Sequence, residues 1–120
     1  MMDYGFPWFY NDSVTKDPYP QNCKEFQFVH LFYNPLCGMV SEYPRWKDIV
    51  KPYADRLVST AILRIKANLT TKKQVQIKGE MHTDFKNCTT AIWYLNTNNG
   101  YTLFQKGDKI KSQENRIVEF

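Results

Sequence analysis

Residues 24–33 read KEFQFVHLFY, and this stretch contains the clearest strand of the chain. Its side chains form two alternating rows, one of which is Phe26, Phe28, His30 and Phe32. Because successive side chains of a strand point to opposite faces, the alternation predicts a strand that is buried on at least one face. His30 is therefore expected to be a core or sheet-face histidine.

From residue 61 onward the hydrophobic pattern again has a period of two, which indicates strands. In residues 61–69 one row is apolar, and the other row is polar: Arg64, Lys66 and Asn68. Further strands are predicted at 74–78, 89–96, 101–104 and 116–120, with turns at 98–100 and 107–108. The polar row could simply face solvent.

The segments before residue 61 have a different character. Residues 1–22 are rich in Pro, Asp, Asn and aromatic residues, which predicts an irregular N-terminal arm, and 34–44 reads as a loop. Apolar residues at helical spacing predict one helix over 46–58, which Pro52 must kink or start. We therefore expect a mainly β fold with one or two N-terminal helices, as a barrel or sandwich domain over residues 23–120.

The composition narrows the class of protein. A chain of 120 residues with 42% apolar residues allows one domain with a core. No run of about 18 apolar residues is present, and the start does not resemble a signal peptide, so we expect a soluble, cytoplasmic protein without a membrane partner. The net charge of +4 is mild and its basic residues are scattered, so a nucleic-acid partner is not expected.

The segment Gly79-Glu80-Met81-His82-Thr83-Asp84 contains a His-x-Asp pair. In an extended segment His82 and Asp84 would point to the same face. An imidazole and a carboxylate are two of the three ligands of the facial triad that holds Fe(II) in non-haem oxygenases. Taken alone, such a pair is a weak signal, because it often arises by chance.

The order of the motifs that follow is more specific. After the His-x-Asp pair come Tyr94-Leu95-Asn96 and then a Gly-x-Thr-x-Phe strand over 100–104. This order resembles the prolyl-hydroxylase-like branch of the Fe(II)/2-oxoglutarate dioxygenases, in particular its short microbial and phage members. The resemblance covers about residues 24–120 and implies a partial double-stranded β-helix, the jelly-roll or cupin-like fold.

The resemblance also implies roles for individual residues. His82 and Asp84 look like iron ligands, and Tyr94 looks like the tyrosine that contacts the distal carboxylate of 2-oxoglutarate. The cosubstrate site could also include Asn68, Lys66, Arg64 and Thr102. Tyr94 could instead be a core aromatic residue that is hydrogen-bonded to the backbone.

The implied activity is hydroxylation of a peptidyl prolyl or other C–H substrate, peptide or small molecule, with ascorbate as the reductant. Members of the family have a distal histidine and then a basic residue that binds 2-oxoglutarate, and no histidine follows His82 here. We therefore expect a C-terminally truncated relative with doubtful activity on its own. The alternative expectation is a non-catalytic, β-rich module that forms a homo-oligomer through open strand edges.

Overall fold

The computed structural model describes residues 4–12, 26–43, 45–57 and 61–120. These residues form a mainly β structure with one short α-helix and three small antiparallel sheets, none of which closes on itself within the described ranges. The elements in chain order are β1 (Phe9–Asn11), β2 (Gln27–Asn34), a 3-10 turn (Pro35–Cys37), β3 (Met39–Val40), α1 (Trp46–Ala54), β4 (Ile65–Leu69), β5 (Ala91–Trp93), β6 (Tyr101–Leu103), β7 (Lys109–Lys111) and β8 (Ile117–Glu119). The mainly β class predicted from the sequence is thus confirmed.

The chain divides into two compact units, residues 1–72 and 73–120. The first unit is built around β2, which is the strand predicted from the alternation in residues 24–33. Strand β4 lies antiparallel along one side of β2, with Phe28 opposite Leu69 and His30 opposite Ala67. Because β4 occupies that side, the shorter strands β1 and β3 lie on the other side of β2.

The core of the first unit lies on the face of the sheet that carries His30. Its buried apolar residues are Phe6, Phe32, Val50 and Ala67. Four half-buried side chains pack against them, namely Trp8, Tyr43, Ile49 and Ile65. Helix α1 contributes Ile49 and Val50, as the helical spacing in the sequence predicted. Burial of these side chains removes apolar surface from water, which is the main stabilising effect in this unit.

Several boundaries differ from the sequence prediction. Pro52 lies inside α1, which ends at Ala54 rather than at residue 58; residue 58 lies outside the described ranges. Strand β1 lies within the predicted irregular arm, and β3 lies within the predicted loop. These strands have three and two residues, too few for a periodic pattern.

The prediction of a strand at 74–78 is wrong. These residues are irregular, and Val75 and Ile77 are 74% and 45% exposed. An alternating pattern forms a strand only where a partner strand supplies hydrogen bonds and another layer covers the apolar row. Residues 74–78 belong to none of the three sheets.

The second unit contains two two-stranded sheets. Strand β5 pairs with β8, and backbone hydrogen bonds extend this pairing outward to Thr90–Phe120 and Tyr94–Arg116. The predicted strand over 89–96 is therefore present but shorter. Strand β6 pairs with β7 through a tight turn in which Gly107 has a φ of 94°, a conformation that glycine adopts without steric cost.

In the described part of the chain no helix has the length and apolar character needed to cross a membrane. Cys37 and Cys88 are exposed free thiols, and Cys23 lies outside the described residues.

Candidate functional site

The His-x-Asp segment lies on the surface of the second unit. His82 and Asp84 are both exposed, and the chain around them is irregular, with a bend at Asp84. The segment is thus not part of a strand, although the two-residue spacing suggested an extended conformation. Both side chains can be reached by an ion from solvent.

A local hydrogen bond orients the imidazole of His82. Its Nδ1 lies 3.1 Å from the carbonyl oxygen of Glu80. A carbonyl oxygen can only accept, so in the neutral imidazole Nδ1 carries the proton and Nε2 carries the lone pair. Metal-binding histidines commonly use one ring nitrogen for the metal and donate the other N–H to an oxygen. The orientation of His82 is compatible with such a role.

The donor atoms suit Fe(II) in kind, but the protein ligands are too few for a facial triad. Within the described ranges, no group of three or more His, Cys, Asp and Glu side chains is placed to hold a metal ion. His82 and Asp84 therefore supply at most two of the three protein ligands of such a centre.

Tyr94 and Thr102 are two candidate residues in contact with each other. Tyr94 directly follows β5, and Thr102 is the middle residue of β6. Their hydroxyl oxygens lie 2.5 Å apart, and both residues are half-buried. The hydrogen-bond partner of the Tyr94 phenol is thus a side-chain hydroxyl rather than the backbone.

The backbone around Tyr94 is held on the side of β8. The Tyr94 N–H donates to the carbonyl of Arg116, and the Asn115 N–H donates to the carbonyl of Tyr94. Asn115 has a φ of 63°, which asparagine tolerates better than most residues. These bonds fix the position of Tyr94 at the end of its strand.

The polar row Arg64, Lys66 and Asn68 belongs to the first unit. Lys66 and Asn68 are exposed on β4, opposite Leu31 and Val29 of β2, and Arg64 is half-buried just before the strand. The predicted alternation is confirmed here, because Ala67 between them is buried.

The sequence pattern did not reveal a polar group around His30. This residue is 3% exposed, in agreement with the predicted core position. Its Nδ1 lies 2.7 Å from the carbonyl oxygen of Pro7, and its Nε2 lies 2.8 Å from Oγ of Ser41. These partners are 23 and 11 residues away in sequence, so no local pattern could have indicated them.

No protein-family model, curated protein or solved structure was found to match the chain. The function must therefore be argued from the residues described above.

Proposed function

We propose that the second unit carries part of an Fe(II) and 2-oxoglutarate site of the dioxygenase type, centred on His82 and Asp84. The observation that best supports this proposal is the contact between Tyr94 and Thr102. The motif order predicts a cosubstrate role for both residues. Tyr94 follows β5, which pairs with β8, whereas Thr102 lies on β6, which pairs with β7, so strand pairing alone does not bring them together. The proposal includes the finer fold, a partial double-stranded β-helix to which β5–β8 contribute.

In this proposal His82 binds the metal through Nε2, because its Nδ1 donates to Glu80. Asp84 adds a carboxylate ligand, which is a hard oxygen donor suited to Fe(II). When bound, Fe(II) and 2-oxoglutarate supply the oxygen chemistry with which this class hydroxylates C–H bonds of peptides or small molecules. The protein holds and orients these groups.

The pair of hydroxyl groups gives the cosubstrate a binding point. In the absence of a ligand, one of the two hydroxyls of Tyr94 and Thr102 donates to the other. A carboxylate has enough lone pairs to accept from both hydroxyls at once. Binding would therefore replace one neutral hydrogen bond with two charge-assisted ones, which are stronger.

The metal-binding test uses Mn(II) as an Fe(II) substitute, followed by the loss of the free Mn(II) electron paramagnetic resonance signal. We expect weak binding that 2-oxoglutarate strengthens, since two protein ligands leave most coordination positions open. His82→Ala and Asp84→Asn should remove this binding. Asp108→Asn, which makes the same chemical change in the β6–β7 turn, should leave it unchanged. Equal binding by all four proteins would refute a metal site at the motif.

The cosubstrate test separates Tyr94 from the metal ligands. Tyr94→Phe should retain Mn(II) binding and reduce the strengthening that 2-oxoglutarate produces. If Tyr94→Phe leaves this strengthening unchanged, the proposed role of the hydroxyl pair is wrong.

The turnover test is succinate formation with Fe(II), 2-oxoglutarate and ascorbate. We expect little or no succinate from these 120 residues, because no second histidine follows His82. Robust succinate formation that is lost in His82→Ala would show that two ligands suffice.

A second proposed function is self-association through strand edges. Within the described residues β4 pairs with β2 alone, so its outer edge has no strand partner. Exposed backbone donors and acceptors at such an edge can pair with a second chain. Light scattering across a dilution series tests the idea, and a monomer at every concentration would exclude it.

A further inference from the structure

Three groups in the first unit form a continuous hydrogen-bonded line. Ser41 Oγ lies 2.8 Å from Nε2 of His30, and Nδ1 of the same ring lies 2.7 Å from the carbonyl oxygen of Pro7. A hydroxyl, an imidazole and an oxygen that orients the imidazole are the three parts of an activated serine nucleophile. The third part here is a backbone carbonyl rather than a carboxylate.

For the neutral imidazole, the direction of each hydrogen bond follows from which atoms can donate and which can only accept. The Pro7 carbonyl can only accept, so Nδ1 of His30 donates and Nε2 accepts. The hydroxyl of Ser41 therefore donates its proton to Nε2, which is the direction that general-base catalysis requires. Ser41 Oγ also accepts the backbone N–H of Tyr43 at 3.1 Å, which uses a lone pair and leaves the hydroxyl proton directed at Nε2 of His30.

The imidazole is held in place by aromatic rings. The ring centroids of Phe6 and Phe32 lie 4.7 Å and 4.5 Å from that of His30, and Tyr43 lies at 6.4 Å. The backbone of Ser41 is also fixed, because its N–H donates to the carbonyl of Phe32 at 2.7 Å. Base and hydroxyl are thus preorganised, which is a requirement for efficient proton transfer.

The hydroxyl lies at the edge of this buried group. Ser41 directly follows the short edge strand β3 and is half-buried, whereas His30 is 3% exposed. The two residues that flank Ser41, Val40 and Glu42, are both exposed. Ser41 is thus more exposed to solvent than the base that it contacts.

We propose that Ser41 is a nucleophile that accepts an acyl group from small activated esters, with His30 as its general base. Oγ of Ser41 attacks the ester carbonyl carbon as its proton moves to Nε2 of His30. The bond to the leaving alcohol then breaks, and that alcohol takes the proton from His30. Water, deprotonated in turn by His30, releases the acyl group as a carboxylic acid and restores Ser41.

The N–H of Tyr43 holds the hydroxyl in position. It donates to Oγ at 3.1 Å, and Oγ keeps a second lone pair with which it can attack. This function requires no metal and is independent of the proposed iron site. All measurements are therefore made with a chelator present.

The test is covalent labelling of the full chain by a fluorophosphonate, read by intact mass and peptide mapping. We expect one adduct, on Ser41, that is lost when the protein is unfolded in urea before exposure. Ser41→Ala should abolish the adduct. His30→Asn should slow labelling by about a hundredfold to ten-thousandfold, the usual contribution of a general base.

The controls distinguish activation from simple exposure and from misfolding. Ser112→Ala, which removes a hydroxyl that donates to the carbonyl of Asn96 with no histidine involved, should label at the normal rate. His30→Asn retains a donor for the Pro7 carbonyl, and its fold is checked by circular dichroism. If His30→Asn does not fold, the comparison of native with urea-unfolded wild type decides. Equal labelling of those two states, or an adduct on another residue, would overturn the proposal.

Discussion

The hydroxyl groups of Tyr94 and Thr102 satisfy each other in a half-buried position. The sequence placed Tyr94 in the predicted strand over 89–96 but could not identify the partner of its phenol. Thr102 reaches Tyr94 only through the path of the chain between β5 and β6. His30 gives the same lesson, since its buried position was predicted but its partners Pro7 and Ser41 were not.

The Tyr94–Thr102 bond should be visible in stability measurements. Tyr94→Phe and Thr102→Val should each lower the free energy of unfolding by about 1 kcal/mol. Each substitution removes one hydroxyl of the pair and leaves the other hydroxyl without this hydrogen bond. The double variant should cost less than the sum of the two, as expected for groups that interact. Urea denaturation of all four proteins measures this difference. Strict additivity would show that the bond does not contribute to stability.

Phe32 and Phe9 provide a matched pair of ring deletions in the first unit. Phe32 is 1% exposed and Phe9 is 60% exposed. Phe32→Ala should cost about 3–5 kcal/mol, since it leaves a cavity in the core. Phe9→Ala should cost less than about 1 kcal/mol, as for most surface substitutions. The comparison uses urea denaturation followed by tryptophan fluorescence, and similar costs would contradict the described core.

At the level of elements, sequence periodicity predicted the longer strands and the helix but not the short strands. β2 and β4 have eight and five residues, enough for an alternating pattern, and members of their predicted rows, His30 and Phe32 in β2 and Ala67 in β4, are buried. β1 exists because its residues pair with Gln27–Val29 of β2, a relation between distant segments. The same dependence explains why the alternation at 74–78 does not produce a strand.

Helix α1 contains a residue that opposes its own conformation. Pro52 lies beyond the first turn, so it lacks an N–H that would otherwise donate to the carbonyl of Asp48. Pro52→Ala should therefore raise the free energy of unfolding by about 1–2 kcal/mol. The substitution restores a helical hydrogen bond, but it also gives the unfolded chain more conformational entropy, which offsets part of the gain. Thermal denaturation measures the change. A lower melting temperature would indicate that the proline has a favourable role in this helix.

Burial is unevenly distributed across the whole molecule. The buried apolar residues Phe6, Phe32, Val50 and Ala67 belong to the unit 1–72. In the unit 73–120, all of which the structure describes, the one buried residue is polar, Ser112 at 8% exposure. The mainly β class could be predicted from sequence because it depends on the total of strand patterns. The uneven distribution of burial could not be predicted from the sequence, because it depends on which strands share a sheet.

Amide hydrogen exchange should reveal the uneven burial. We expect the amides of β2 that pair with β4 to exchange at least about tenfold more slowly than those of β5–β8, because local opening is easiest where few apolar contacts are broken. Mass spectrometry of peptides from the intact chain measures both sets in one experiment. Faster exchange in β2 than in β5 would contradict the expectation.

The two hydrogen bonds of His30 close chain loops of different length. The bond to Ser41 closes a loop of 11 residues, and the bond to Pro7 closes one of 23 residues. The longer closure costs about 0.7 kcal/mol more chain entropy, from the logarithmic dependence on loop length. The contact between β2 and the segment after β3 should therefore form first. The N-terminal segment with Phe6 and Pro7 should then dock onto an imidazole that Ser41 already holds.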